Sequence, residues 1–250
     1  MTGVARLRSA LSQDSRLGIA AFVVMVTGMI ATPLFEQGGE ERRMLALVVV
    51  AALFVCGLAS AVHSYGRRAV FAASMIVVFT FIVEVVGSTT GFPFGSYDYT
   101  DALTPRLFDV PIVVSFAWAG ITLVAHGAFG ARITVMAGAI TAWDAFLDPQ
   151  MVGEGYWQWQ PATLAYRGIP LVNYAGWLLT ATITSTIAVA VCRTATRRVV
   201  LPRVAYTTLA VLSAVGFAFF FDDLLVAAVG GVAMGTFAVL SFVGDRKRSA

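Results

Sequence analysis

The chain has 250 residues, of which 58% are hydrophobic and only 12% are charged. Soluble domains carry about 25% charged residues, so this composition excludes an ordinary water-soluble globule. The formal net charge of +3 is too small to indicate a nucleic-acid-binding protein. We therefore expect one integral membrane domain that spans residues 1–250.

Eight apolar runs are long enough, or nearly so, to cross the roughly 30 Å hydrocarbon layer of a bilayer as helices. In chain order they are Leu17–Phe35, Met44–Val62, Ala69–Val86, Val110–His126, Ile133–Leu147, Ile169–Cys192, Val204–Phe221 and Leu224–Val243. The fifth run is short and the last two are barely separated, so seven spans are also possible. The sequence predicts an all-α bundle of about eight transmembrane helices, and no internal repeat stands out in it.

Basic residues divide unevenly between the connecting segments if the N-terminus is cytoplasmic and the spans alternate in direction. The cytoplasmic segments then hold Arg6, Arg8, Arg16, Arg67, Arg68, Arg132, Arg193, Arg197, Arg198, Arg203, Arg246, Lys247 and Arg248. The outer segments hold only Arg42, Arg43, Arg106 and Arg167. Because short cytoplasmic loops are enriched in Lys and Arg, this distribution predicts that both termini are cytoplasmic.

Acidic residues gather at the opposite, outer ends of the helices. Glu84 and Asp144 lie inside apolar runs, where a charged side chain costs about 2.5–3.5 kcal/mol on insertion scales. Asp148 follows Asp144 by one helical turn and lies on the same helix face. Asn173 of the sixth run is expected at the same depth, and Asp222 and Asp223 lie in the short connection between the last two runs. We expect an intramembrane polar site here, and a network that only ties helices together is the alternative.

Two outer segments, residues 87–100 and 148–159, are rich in Gly, Pro and aromatic residues. Gly and Pro predict irregular backbone in both. Their Trp and Tyr side chains could form an interfacial aromatic belt. Alternatively, the two segments could form a lid over an apolar pocket.

Residues from about 70 to 180 carry a distinctive series of blocks. The first blocks are Glu84-x-x-Gly87 and Thr90-Gly91-Phe92-Pro93-Phe94-Gly95-x-Tyr97-x-Tyr99-Thr100, followed by Pro105 and Val110-Pro111. The later blocks are Trp143-Asp144-x-x-x-Asp148-Pro149, Trp157-x-Trp159 and Gly168-Ile169-Pro170-Leu171-x-Asn173-Tyr174-x-Gly176-Trp177. This series resembles that of the multispan carotenoid hydratases, which include carotenoid 1,2-hydratases and bisanhydrobacterioruberin hydratases.

The resemblance implies an enzyme of carotenoid biosynthesis, a hydro-lyase that adds water to the terminal C=C bond of an acyclic carotenoid and gives a tertiary alcohol. The substrate would be a C40 lycopene-type or a C50 bacterioruberin-type precursor. The expected partners are this carotenoid, water and the lipid bilayer, with no cofactor, metal or nucleic acid. Because the chain lacks the acidic surface of haloarchaeal proteins, we expect a multi-pass protein of a bacterial plasma membrane.

Hydration of such a bond begins with protonation and leaves a tertiary carbocation that water captures. A carboxyl group buried among apolar groups can keep a proton to donate, and aromatic faces stabilise a cation. We therefore predict that Asp144 or Glu84 is the acid and that Asp148 orients the water. The predicted substrate-binding residues are Gly91, Phe92, Phe94, Tyr97, Tyr99, Trp143, Trp157, Asn173 and Trp177.

Other functions stay open at this point. Asp144-x-x-x-Asp148 resembles half of a magnesium-diphosphate site, which suggests an intramembrane prenyltransferase, although a second matching motif is missing. Intramembrane acids also relay protons in proton-coupled transporters. A pigment-binding membrane protein without enzymatic activity is a further alternative.

Overall fold

A computed structural model describes residues 14–193, 195, 197 and 199–246, apart from the side chains of 244–246. Within these residues the chain forms eight α-helices. They are α1 Arg16–Ala31, α2 Glu40–Tyr65, α3 Arg67–Thr90, α4 Ile112–Phe129, α5 Ile133–Gly153, α6 Leu171–Val191, α7 Leu201–Phe219 and α8 Leu224–Arg246. A 3₁₀ turn, Thr32–Leu34, continues α1. The predicted all-α membrane bundle is confirmed.

Seven of these helices are long and apolar enough to cross a membrane, and α5 is the exception. Helix α5 packs between α6 and α8, and most of its residues from Met136 to Asp148 are buried. Because neighbouring helices cover it, α5 can carry polar side chains without exposing them to lipid. The direction of the spans across the membrane stays a prediction. Of the basic residues used for that prediction, Arg6, Arg8, Arg198, Lys247 and Arg248 lie outside the described residues.

Helix α4 is the most enclosed of the seven spans, with 72% of its apolar window buried. It packs closely on α2 where two glycines face each other. A methyl group at Gly57 would lie 2.8 Å from the carbonyl oxygen of Gly120, and one at Gly120 would lie 3.0 Å from the backbone of Phe54. Small residues allow membrane helices to approach this closely. Helix α4 therefore forms the centre of the bundle.

The segments between the helices at one end of the bundle contain three short antiparallel strand pairs. Strand β1 Tyr97–Tyr99 pairs with β4 Trp157–Trp159, so the two outer segments are joined to each other. The hairpins are β2 Arg106–Leu107 with β3 Val110–Pro111, and β5 Ala165–Tyr166 with β6 Ile169–Pro170. The prediction that residues 87–100 and 148–159 have irregular backbone is wrong for the first residues of each segment, which are helical. Helix α3 continues to Thr90, and α5 continues through Pro149 to Gly153.

Contrary to the sequence-based expectation, the centre of the chain contains an internal repeat. The first unit, residues 67–129, and the second unit, residues 133–191, each consist of a helix, a strand, a two-strand hairpin and a second helix. Both hairpins turn through two residues of positive φ, Phe108–Asp109 and Arg167–Gly168, as a type I′ turn requires. A proline, Pro111 or Pro170, caps the following helix in each unit.

The backbone hydrogen bonds between the two units are symmetric as well. Thr100 N donates to Tyr156 O at 3.0 Å, and its equivalent Gln160 N donates to Ser96 O at 2.9 Å. These bonds flank the β1–β4 pair on either side of the Asp98–Gln158 register position. An approximate twofold axis therefore passes through the strand pair and brings equivalent side chains of the two units to one place.

Candidate active site

A cavity, called the first cavity below, lies between the two units and next to the β1–β4 strand pair. The space that is free of protein atoms there amounts to about 390 Å³, including the part that opens to the surroundings. Its walls are mainly aromatic and apolar, with two carboxyl groups and one amide among them. The lining residues are Glu84, Phe94, Tyr97, Tyr99, Val114, Ala117, Trp118, Leu147, Asp148, Trp157, Trp159, Asn173 and Trp177.

Glu84 comes from the outer part of α3 and accepts three hydrogen bonds. Tyr97 Oη and Tyr99 Oη both donate to Glu84 Oε2, at 2.7 and 2.8 Å. Trp118 Nε1 donates to Glu84 Oε1 at 3.0 Å. Burial raises the pKa of Tyr97 and Tyr99, and the neighbouring Glu84 charge raises the pKa of both phenols further. Both phenols therefore keep their protons and serve as donors to this carboxyl group.

Asp144 and Asp148 share a single amide donor. Asn173 Nδ2 donates to Asp144 Oδ2 at 2.7 Å and to Asp148 Oδ2 at 2.5 Å, so the two carboxyl groups lie close together. Trp157 Nε1 donates to Asp148 Oδ1 at 3.1 Å. Asp144 Oδ1 is buried and has no hydrogen-bond partner within the described part of the chain. No Lys, Arg or His is among the described residues that line the cavity, so no cation there compensates these acids.

Stacked indole rings form one wall of the first cavity. Trp118 and Trp177, which occupy equivalent positions in the two units, stack with their ring centroids 4.1 Å apart. Trp143 packs edge-on against Trp177 at 6.2 Å. Gly176 makes room for the loop that carries Phe94, because a Cβ there would lie 2.7 Å from both Phe94 and the carbonyl oxygen of Pro93. The cavity therefore presents electron-rich ring faces next to its carboxyl groups.

The structure brings most of the predicted site residues together. Those that line the cavity are Glu84, Asp148, Phe94, Tyr97, Tyr99, Trp157, Asn173 and Trp177. Asp144 is fully buried behind Asn173 and does not itself line the cavity. Trp143 lies behind Trp177, Gly91 ends helix α3 with a φ of 77°, and Phe92 is 65% exposed. These last three residues are outside the cavity wall.

Other residues in or near the site differ from the sequence-based picture. The predicted site residues do not include Trp118, Trp159, Val114, Ala117 or Leu147, which also line the cavity, although Trp159 belongs to one of the quoted sequence blocks. The internal repeat is the signal that identifies Trp118, since it is the counterpart of Trp177. The Asp222–Asp223 pair does not join the site. Asp223 instead forms an ion pair with Arg167 at 2.6 Å and accepts the backbone N–H of Val226 at the start of α8.

Comparison with known proteins identifies the family. A family model described as "Carotenoid biosynthesis protein" matches residues 22–242, which is most of the chain. The chain belongs to this family. The family membership predicted from the series of blocks is thereby confirmed.

A curated relative of this carotenoid biosynthesis protein has an assigned activity. It is the bisanhydrobacterioruberin hydratase of Haloarcula japonica, which is 29% identical over 129 residues. The aligned part covers 47% of this chain and 43% of that hydratase, so the match spans less than half of the relative. No solved structure matches the chain significantly.

The two aspartates of this carotenoid biosynthesis protein are engaged by N–H donors. Their oxygen atoms accept hydrogen bonds from Asn173 and Trp157, while Asp144 Oδ1 has no partner within the described residues. Within the described residues, no group of three or more His, Cys, Asp and Glu side chains is arranged to hold a metal ion.

Proposed function

We propose that this protein is a hydratase that adds water to the terminal C=C bond of an acyclic carotenoid and yields a tertiary alcohol. Family membership and the activity of the Haloarcula relative support this reaction class. One observation carries the proposal: two carboxyl groups with different hydrogen-bond partners, Asp148 and Glu84, face the same apolar, indole-walled cavity.

Asp148 is the proton donor in this proposal, because it faces the cavity while Asp144 lies behind it. Two ionised carboxylates this close in a buried site would repel each other strongly, and one shared proton removes the repulsion. Asp148 passes that proton to the less substituted carbon of the double bond. The positive charge then develops on the more substituted, tertiary carbon.

Glu84 and the indole rings stabilise this cation. Three hydrogen-bond donors around one carboxyl group suit the carboxylate anion, so Glu84 supplies a fixed negative charge at the cavity wall. The stacked faces of Trp118 and Trp177 add cation–π attraction, worth about 0.5–2 kcal/mol per ring. These charges and ring faces are in place before the reaction, so stabilising the cation requires little reorganisation.

Water completes the reaction. Trp159 Nε1 is buried, belongs to a residue of the cavity wall and has no partner within the described residues, so it can hold a water molecule. The water oxygen forms the new C–O bond, and one water proton returns to the carboxylate that donated the first. The acid pair is thereby restored, and the net change is the addition of one water molecule.

The proposal also includes the location of the protein and of its first cavity. We assign the protein to a bacterial plasma membrane with both termini in the cytoplasm, which puts the first cavity at the outer edge of the bilayer. A carotenoid chain is about as long as the roughly 30 Å hydrocarbon layer is thick. One end group can therefore enter the cavity from lipid while water enters from outside.

Expression in cells that accumulate an acyclic C40 or C50 carotenoid tests the function. Mass spectrometry of extracted pigments should show products heavier by one water molecule, or by two if both ends react. The double variant Asp144→Asn/Asp148→Asn should form none, whereas Asp101→Asn should match the unmodified protein, because Asp101 is an exposed acid of a surface ion pair. Immunoblots of the membrane fraction control for expression. Unchanged pigments of both lengths, with the protein present in the membrane, would rule the proposal out.

A further inference from the structure

A second cavity lies between α1, α2, α5 and α7, at the same end of the bundle as the first. The space that is free of protein atoms there amounts to about 840 Å³, including the part that opens to the surroundings. Leu147 of α5 lines both cavities. Trp143 lines the second cavity and packs edge-on against Trp177 of the first. Side chains of one helix therefore separate the two cavities.

The second cavity is elongated along the bundle, with one polar end. Its wall follows α2 from Arg42 to Leu53, a length of about 16 Å at a rise of about 1.5 Å per residue. This length corresponds to roughly half of the hydrocarbon layer of a bilayer. Beyond the polar end, the wall is mainly aliphatic, with Val50, Leu209 and Leu212 among its residues. Such a shape fits a chain-like apolar molecule with one polar terminus.

The polar end contains an ion pair that is already balanced. Arg42 Nη1 lies 2.7 Å from Glu154 Oε1, and the two side chains are only 8% and 5% exposed. Arg42 Nε also donates to the carbonyl of Phe35, and Gly38 N donates to Glu154 Oε2. Since the two charges neutralise each other, this end has no excess positive charge for a phosphate or a carboxylate. An uncharged polar group suits it better.

Tyr156 provides an unused hydrogen-bonding group in the same wall. The residue is only 2% exposed, and its hydroxyl has no partner within the described part of the chain. Buried hydroxyl groups in proteins are nearly always hydrogen-bonded, so this one indicates a missing partner. Burial raises the pKa of Tyr156 to about 12, so the phenol stays protonated and can both donate and accept. A neutral hydroxyl group on a ligand would satisfy it.

We propose that the second cavity binds the carotenoid alcohol formed in the first, with the tertiary hydroxyl on Tyr156 and the chain along α2. The identity of this ligand rests on the proposed hydratase function. The hydrated end group carries a neutral hydroxyl that can pair with Tyr156 Oη, and the hydrocarbon substrate does not. A product site one side-chain layer away would remove the alcohol from the acids and leave the first cavity free for the next end group.

Retention of defined carotenoids tests this site directly. The purified protein is reconstituted in nanodiscs with an acyclic C40 carotenoid bearing one terminal tertiary hydroxyl, or with the same carotenoid lacking it, and is then repurified. Bound pigment per chain is measured by chromatography. Ser213→Phe fills the second cavity, and Val211→Phe, on the same helix but 54% exposed, is the matched control. Tyr156→Phe removes only the hydroxyl.

We expect the unmodified protein and Val211→Phe to retain more alcohol than hydrocarbon, and Ser213→Phe to lose that excess. Tyr156→Phe should weaken retention of the alcohol by about 3- to 10-fold, the effect of one hydrogen bond, and leave the hydrocarbon unchanged. Equal alcohol retention by the unmodified protein and Ser213→Phe would overturn the inference. Displacement of a phospholipid instead of the alcohol by Ser213→Phe, detected by mass spectrometry of bound lipids, would overturn it as well.

The hydration assay separates this inference from the proposed function. If the unmodified protein hydrates carotenoids but its alcohol retention is insensitive to Ser213→Phe, the function stands and the product site does not. If no carotenoid is hydrated while the excess alcohol still depends on Ser213 and Tyr156, the cavity is an alcohol site and the hydratase proposal fails.

Discussion

The two units of the repeat have the same backbone arrangement but surround their acids differently. In the first unit, Glu84 accepts hydrogen bonds from Tyr97, Tyr99 and Trp118, all of which belong to that unit. In the second unit, Asp144 occupies the equivalent position and accepts a bond from Asn173. One acid is thus surrounded by donors, whereas the other has one oxygen without any described partner.

Different residues at equivalent positions of the two units account for this difference in hydrogen bonding. Asp148 and Asn173 of the second unit correspond to Ser88 and Val114 of the first, which offer neither a second carboxyl group nor an amide. The phenols of β1 correspond to the indoles of β4, and Trp157 donates to Asp148 rather than to Asp144. A duplicated scaffold can therefore place two acids symmetrically and still give them different roles. We expect the first unit to hold a fixed charge and the second to move a proton.

The largest effect is expected from Asp148→Asn, which removes the proton donor but retains the size of the side chain. The rate of water addition should fall by about 10²- to 10⁴-fold, the range for loss of general acid catalysis. Asp144→Asn should also impair the reaction, but less, because that group acts through Asp148. Initial rates in nanodiscs measure both variants. An Asp148→Asn protein that is folded by size-exclusion chromatography and nearly fully active would break the division of roles between the units.

Glu84→Gln should have the next largest effect, because it removes the negative charge and keeps a hydrogen-bond acceptor. A loss of about 10²- to 10³-fold in kcat is expected for removing one preorganised electrostatic contact to the transition state. Proton transfer would still come from Asp148, so the residual reaction should remain slower in D₂O than in H₂O. Residual activity without any solvent isotope effect would contradict a rate-limiting proton transfer from Asp148 in this variant. The roles of the two units would then be wrongly assigned.

The sequence predicts the parts of this fold that depend on composition and on local periodicity. Long apolar runs mark the spans, since few soluble elements resemble them, and acids inside those runs mark the site. Glu84, Asp148 and Asn173 could therefore be placed near one another before their contacts were known. Asp144 is expected at the same depth, but whether it faces the cavity depends on helix rotation, which hydropathy does not specify.

Features that depend on tertiary contacts could not be predicted in the same way. Strands β1 and β4 have only three residues each, and they form because the two units meet at the twofold axis. Trp118 lies in a mainly apolar helix, where an indole is not distinguished from an ordinary core residue. The repeat itself was hidden because its units share spacing and turn geometry but few identical side chains. Aligning Glu84 with Asp144 and Trp118 with Trp177 reveals it.

The smallest effect on the rate is expected from replacing either of the two stacked indoles, Trp118 and Trp177. They are equivalent in position but differ in their hydrogen bonds. Trp177→Phe keeps an aromatic face and should slow water addition by at most about 10-fold, since one cation–π contact is worth about 0.5–2 kcal/mol. Trp118→Phe also removes the N–H that bonds Glu84, so it should be slower than Trp177→Phe by a further factor of about 3–10. In the Glu84→Gln background this extra factor should shrink, because the hydrogen bond no longer supports a charged acceptor. Equal rates for the two Phe variants in the unmodified background would show that the Trp118–Glu84 bond does not contribute. The first unit would then stabilise the cation through its ring alone.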